Sequence, residues 1–208
     1  MKKNFAMRVA ACLLVVTMLS LCMVSYTYAK FVTTGSGHDE ARVAKWGVVI
    51  DLADFDMFDT EYDGTVKSET TDKLVAPGTS GELLYTGLSG TPEVKVEVNF
   101  TSNLTLTGWD ASGYYCPLEI KVGTTVFKGN DYSSIAEFEA IVEAAINDYS
   151  AEYAVNTDLS SVAAPVVSWE WTYSGNDDVK DTALGDAAAQ GNPSTVKLEL
   201  VITVTQLN

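Results

Sequence analysis

Histidine, cysteine and basic residues are scarce in this chain. His38 is the one histidine among 208 residues, so a zinc centre built on imidazoles has no second ligand, and no H-E-x-x-H pattern is present. A Ser–His–Asp triad would have to use His38. No serine lies in a G-x-S-x-G context, however, and His38 sits in the polar stretch 33–40, where it reads as a solvated loop residue. Three cysteines occur: Cys12, Cys22 and Cys116. The first two fall in an N-terminal apolar region, so the remainder of the chain holds Cys116 alone and cannot close an internal disulfide. A lone thiol in such a chain reads as a small buried hydrophobe rather than a nucleophile. Lys and Arg total 13 against 28 Asp and Glu, a net charge of −15. That balance repels phosphate backbones and anionic lipid surfaces, which argues against a nucleic-acid partner. With so little catalytic chemistry on offer, no enzyme activity is expected.

What is present begins with the N-terminus. Lys2, Lys3 and Arg8 are followed by residues 9–24, which carry no charge, and then by Thr27-Tyr28-Ala29. A basic start, a short apolar run and small residues at a cleavage point are the features of a secretory signal peptide. The predicted cleavage falls between Ala29 and Lys30. Residues 1–29 are then a signal helix and residues 30–208 a single secreted domain, in contact with a membrane only during export. A retained anchor is the alternative, though 16 uncharged residues fall short of the roughly 20 that a spanning helix needs. A lipoprotein signal ending at Cys22 is disfavoured, because Leu21 stands where a small residue is required. Removing the three basic residues of 1–29 from the 13 leaves 10 against 28 acidic ones, a net charge of −18.

Beyond that point the dominant pattern is period-two alternation in short runs. Strands are expected at 43–52, 81–88, 94–100, 118–122, 124–127, 166–173 and 195–206. Leu104 and Leu106 continue the third run after a break at Ser102-Asn103. Ala76-Pro77-Gly78-Thr79 suits a type II turn, with Pro77 presetting φ and Gly78 accepting a positive φ. Residues 133–152 change to helical spacing, with an apolar stripe from Ile135 through Tyr149 and a capping-box pair at Ser134 and Glu137. A shorter helix is expected at 182–190, with Asp181 as N-cap and Gly191 beyond its end. The fold expected is all-β: a jelly-roll-like two-sheet sandwich with an inserted long helix.

Two groups of side chains are candidates for binding. Asp59, Glu61, Asp63 and Gly64 match positions 1, 3, 5 and 6 of an EF-hand loop, but position 12 is Thr70 and Glu69 comes one residue early. An oxygen-rich Ca²⁺ site at Asp59, Glu61 and Asp63 is one reading, and a solvated acidic loop is the other. Asp177, Asp178 and Asp181 pose the same choice. Trp169, Trp171 and Tyr173 share one strand face, which stacks on sugar rings if exposed and is core if buried.

The sequence also resembles a known family. Tyr26-Thr27-Tyr28-Ala29-Lys30-Phe31, Ala44-Lys45-Trp46-Gly47-Val48 and Val75-Ala76-Pro77-Gly78-Thr79-Ser80-Gly81 are similar to segments of the camelysin/TasA family. Trp169-Glu170-Trp171, Asp181-Thr182-Ala183-Leu184-Gly185 and Val204-Thr205-Gln206 resemble related secreted proteins of Firmicutes. The resemblance implies a signal peptide cut by a SipW-type signal peptidase, a jelly-roll domain in the extracellular matrix or at the cell surface, and self-association into biofilm fibres. In such fibres the N-terminal segment of one subunit completes a sheet of the next. The donor here would be residues 30–36, including Phe31, Val32, Thr33 and Thr34. The metallopeptidase activity attached to camelysin does not carry over to a chain with one histidine.

Overall fold

A computed structural model describes residues 3–31, 41–52, 56–83, 87–109, 113–173 and 177–208. The chain forms two compact units, Met1–Val43 and Ala44–Asn208. In the first, α1 (Lys3–Phe31) is a continuous helix of 29 residues, about 44 Å long at 1.5 Å per residue. Its window Asn4–Leu21 has a mean hydropathy of 1.8, long and apolar enough to cross a membrane by length and composition. The hydroxyls of Thr17 and Ser20 donate back to carbonyls of the preceding turn, at 2.9 Å to Leu14 O and 2.8 Å to Val16 O. The predicted cleavage point Ala29-Lys30 lies in its last turn.

The second unit is mostly β. Its strands are β1 (Val49–Ile50), β2 (Glu61–Tyr62), β3 (Val66–Lys67), β4 (Ser80–Leu83), β5 (Leu88–Ser89), β6 (Val96–Thr107), β7 (Leu118–Val122), β8 (Thr125–Lys128), β9 (Ala151–Tyr153), β10 (Val167–Trp171) and β11 (Thr195–Gln206). Helix α2 (Ile135–Asn147) lies between β8 and β9, and α3 (Asp178–Ala189) between β10 and β11. Two sheets dominate, in the orders β4-β10-β7-β8 and β11-β6-β9, with two-stranded ladders β1-β5 and β2-β3 beside them. The buried faces of both larger sheets contribute to one core, with Leu118, Ile120, Val167 and Trp169 from the first and Val98, Phe100, Leu104 and Leu200 from the second.

The last strand lies where alternation places it, at 195–206. It pairs antiparallel with β6 over twelve residues, from Thr195↔Thr107 to Gln206↔Val96. The break expected at Ser102-Asn103 is absent. Ser102 points inward on the same face as Phe100 and Leu104, and Asn147 of α2 takes both its N–H (2.9 Å) and its hydroxyl (3.1 Å). The buried polar residue is thereby satisfied without interrupting the strand.

Asn147 belongs to a longer series along the edge of β6. Leu106 N–H donates to Glu139 Oε1 at 2.7 Å, Leu104 N–H to Glu143 Oε1 at 2.7 Å, and Phe100 N–H to Ser150 Oγ at 2.9 Å. β9 then pairs with Val98 and Val96 through Ala151 and Tyr153. Helical neighbours four apart rise about 6 Å and alternate strand residues about 6.8 Å, so side chains at 139, 143 and 147 keep step with 106, 104 and 102. Meanwhile Phe138, Val142 and Ile146 of α2 are fully buried in the core. The expected helix therefore ends at Asn147 rather than 152, because the chain after it is more useful as edge cover than as a further turn.

Several other expectations shift. The strand expected at 43–52 forms only a two-residue ladder, held beside 87–93 by Asp51 N–H to Gly87 O (2.7 Å) and Glu93 N–H to Lys45 O (2.9 Å). The run 81–88 divides into β4 and β5, with 84–86 outside the described residues. Ser134 caps α2 by accepting from Glu137 N–H at 3.2 Å, but the Glu137 carboxylate turns to Ser133, accepting from its N–H at 2.9 Å and its hydroxyl at 2.6 Å. α3 starts at Asp178 with Asp177 as N-cap, so Asp181 lies inside the helix, where it accepts from Tyr115 OH at 2.6 Å. Gly191 follows its end at φ +82° as expected.

The edge series predicts a stability effect. Glu143→Ala leaves the half-covered Leu104 N–H without its acceptor and is expected to lower unfolding free energy by about 1–3 kcal/mol, whereas Glu143→Gln keeps an oxygen in place and recovers most of it. Urea denaturation midpoints at constant m-value measure both.

Candidate functional site

The turn 76–79 forms as predicted. Thr79 N–H donates to Ala76 O at 3.0 Å, and Gly78 has φ +82°. Thr79 is buried, and its hydroxyl donates to Ala76 O at 2.7 Å. Gly78 N–H to Trp171 O and Trp171 N–H to Thr79 O join the turn to β10, so Pro77-Gly78 steers β4 into its sheet. Next in β4 comes Gly81, where a Cβ would lie 2.1 Å from Met57 O and 2.6 Å from Trp169 Nε1. The missing side chain lets Trp169 Nε1 donate to Met57 O at 2.6 Å.

Met57 and Gly81 line an open cleft of about 430 Å³, bordered also by Asp56, Asp59, Glu61, Asp63 and Glu82. The three predicted ligands Asp59, Glu61 and Asp63 thus share one cleft, each with a separate local task. Asp59 Oδ1 accepts from Thr60 N–H at 2.7 Å, and Glu61 pairs with Lys67 at 2.7 Å across β2-β3. Asp63 and Gly64 adopt φ +43° and +69° in the connecting turn. An Asp-Gly pair with both φ positive is the tight hairpin turn, and that dipeptide is the signal that could have located this hairpin, which the sequence reading missed. The segment is a hairpin, not an EF-hand. Among the described residues no three His, Cys, Asp or Glu are grouped to hold a metal ion. Asp56 pairs with Lys73. Tyr62 OH accepts from Asp59 N–H at 2.7 Å and donates to Leu74 O at 3.0 Å. Burial pushes this phenol above its ordinary value; the Asp59 N–H bond opposes the shift and the Asp59 and Asp56 carboxylates add to it.

The aromatic row is core. Trp169 and Trp171 are 3% and 4% exposed, and only Tyr173 faces solvent, at 75%. Trp169 packs on Phe58 at 5.2 Å and edge-on to Tyr62 at 6.1 Å; Trp171 meets Trp109 at 5.4 Å. These rings are inaccessible to a sugar. The second acidic group is used locally, with Asp177 at the N-cap of α3 and Asp181 bonded to Tyr115. Val32, Thr33, Thr34 and His38 lie outside the described residues, and Phe31 ends α1.

Strand edges are what sequence reasoning missed. β11 is the outermost strand of its sheet, and β4 and β8 end the other. A second feature is the bed for the N-terminal strand. At Gly87 a Cβ would lie 1.5 Å from Asp51 O, and at Gly90 2.0 Å from Gly47 O. Two glycines thus create a groove in which an extended backbone lies against 87–90.

Cys116 is fully buried, beneath Gly129, and burial pushes its thiol up to about 12. A group that ionises near 9 when unfolded and near 12 when folded stabilises the fold fully below pH 9 and loses that contribution as pH rises toward 12. At pH 8 the native thiol is expected to resist iodoacetamide for hours while the urea-unfolded chain alkylates within minutes. Equal rates in both states would show an accessible thiolate.

Comparison of the chain with protein-family models, curated proteins and solved structures finds no match.

Proposed function

We propose that the protein is a secreted structural subunit of an extracellular matrix or biofilm fibre, of the camelysin/TasA type, released by a SipW-type signal peptidase and assembled by donation of its N-terminal strand. One observation carries the reading. Among the described residues the buried hydrophobic core lies in the second unit, starting at Met57, while Ala41, Arg42 and Val43 are all exposed, Val43 at 91%. We infer that the segment that cleavage after Ala29 would free is offered to a neighbour rather than to the core of its own chain. Backbone pairing with an exposed sheet edge is the physical means, and β4 and β8 are short, open acceptors. Two sheets contributing to one core support a sandwich of jelly-roll type. A surface with net charge −18 keeps the subunit soluble until an edge is completed.

Electron microscopy of the chain beginning at Lys30, beside the uncleaved chain and a chain beginning at residue 38, tests this. Fibres are expected from the first alone. Polymerisation of the residue-38 form ends strand donation by 30–36, and absence of fibres from all three ends the fibre reading.

A Ca²⁺-binding module is the second reading, favoured by five carboxylates bordering one cleft. Binding at the cleft would raise Tm with Ca²⁺, and Asp59→Asn with Asp63→Asn would abolish the rise. An unchanged Tm up to about 10 mM Ca²⁺ removes this reading, since extracellular sites bind at about 0.1–1 mM.

A further inference from the structure

The two long strands of the β11-β6-β9 sheet are treated differently at their outer sides. The N–H groups of Phe100, Ser102, Leu104 and Leu106 point away from β11, toward α2 and Ser150. In an antiparallel ladder each residue directs both backbone groups to the same side, so the odd-numbered residues of β6 and β11 bond to each other. The even-numbered residues of β11, from Val196 to Gln206, therefore direct six N–H and six C=O groups outward. Among the described residues no strand lies on that side. Few devices blunt this edge: the pairing runs twelve on twelve without a bulge, no proline interrupts β11, and its two charges, Lys197 and Glu199, lie in the first half of the strand, with none at 200–207.

We propose that this edge seats the β11 strand of a second copy of the chain, antiparallel across a two-fold axis through Val201. Length selects this partner. The other described strands with an open side have four residues or fewer, so only β11 itself matches a twelve-residue edge. Charge selects the register. Two copies of so acidic a chain approach without repulsion only along a neutral seam, and β11 holds one Lys and one Glu. Centred on Val201, the pairing sets Glu199 opposite Thr203 and Lys197 opposite Thr205, with no like charges facing. It aligns Val196 with Gln206, Leu198 with Val204 and Leu200 with Ile202, so all six outward positions find partners. Val201, 57% exposed in the single chain, meets its own copy in a non-hydrogen-bonded pair, where side chains come closest. The contact is isologous, and the result is one continuous six-stranded sheet.

The test uses the full-length chain in detergent micelles with Cys12→Ser and Cys22→Ser, leaving buried Cys116 in place. Val201→Cys is expected to give a covalent dimer under mild oxidation. Thr203→Cys is expected to remain monomeric, because this register separates the two copies of residue 203 by roughly 13 Å. Val201→Lys, which brings two like charges together at the axis, is expected to raise the dimer dissociation constant tenfold or more by sedimentation. Both positions are exposed, and an unchanged Tm verifies folding. Cross-linking of Thr203→Cys as efficient as that of Val201→Cys overturns the register. No Val201→Cys dimer together with unaltered sedimentation of Val201→Lys overturns the contact. The pairing is separable from strand donation: a Val201→Cys dimer without fibres from the chain beginning at Lys30 removes donation and leaves the pairing standing, and fibres without that dimer do the reverse.

Discussion

The edge of β6 is the constraint on which the rest of this structure depends. A twelve-residue strand needs acceptors for its backbone donors on both sides. β11 supplies them on one side, and on the other β9 reaches only as far as Val98. Beyond it the acceptors are side chains: Ser150, Asn147, Glu143 and Glu139. Because three of them, Asn147, Glu143 and Glu139, stand on the flank of α2, the bonds also fix the angle at which Phe138, Val142 and Ile146 enter the core. One set of contacts closes an edge, orients a helix and fills the interior. Such an arrangement is intolerant of a one-residue slip, since every strand side chain would change face and every helix acceptor would lose its donor.

The covered edge gives the open one its meaning. A sheet with one side closed by specific polar contacts and the other, among the described residues, bordered by no strand is asymmetric. The same contrast separates the interior from the cleft at Asp56–Glu82. In the core, Trp169 Nε1 and the Ser102 groups have partners, and Cys116 is held as a neutral thiol. In the cleft, Glu61 and Asp56 are balanced by Lys67 and Lys73 at the surface. Exposed pairs of this kind contribute little to stability, which fits a hairpin ordered mainly by its Asp63-Gly64 turn.

Much of this was legible in sequence wherever the signal was local. Alternation at 195–206 located β11 to the residue, Pro77-Gly78 located its turn, and the hairpin around Gly123 lies between β7 and β8. Local signals failed where a distant partner overrode them. Ser102-Asn103 looked like a break because nothing nearby in sequence can satisfy a buried serine; Asn147 does so from 45 residues away. The helix expected to 152 stops at Asn147 because Tyr149 continues the apolar stripe in sequence although the chain there turns into β9. Asp181 looked like a cap because its bond to Tyr115 spans 66 residues. Glu139, Glu143 and Asn147 carry no local signal of their role, because polar residues at that spacing usually form a solvated helix face.

By itself, then, the sequence determined the β-rich character of the chain, the N-terminal apolar helix, the acidic surface and the turns, because each follows from side-chain periodicity, charge or backbone preference within a few residues. Only the tertiary structure decided that Trp169 and Trp171 are buried, that three carboxylates of 59–63 border one cleft, and that α2 covers one edge of a sheet whose other edge, among the described residues, has no neighbouring strand. Those outcomes depend on which segments meet across the fold. Burial and hydrogen-bond satisfaction are properties of such meetings, and no window of neighbouring residues contains them.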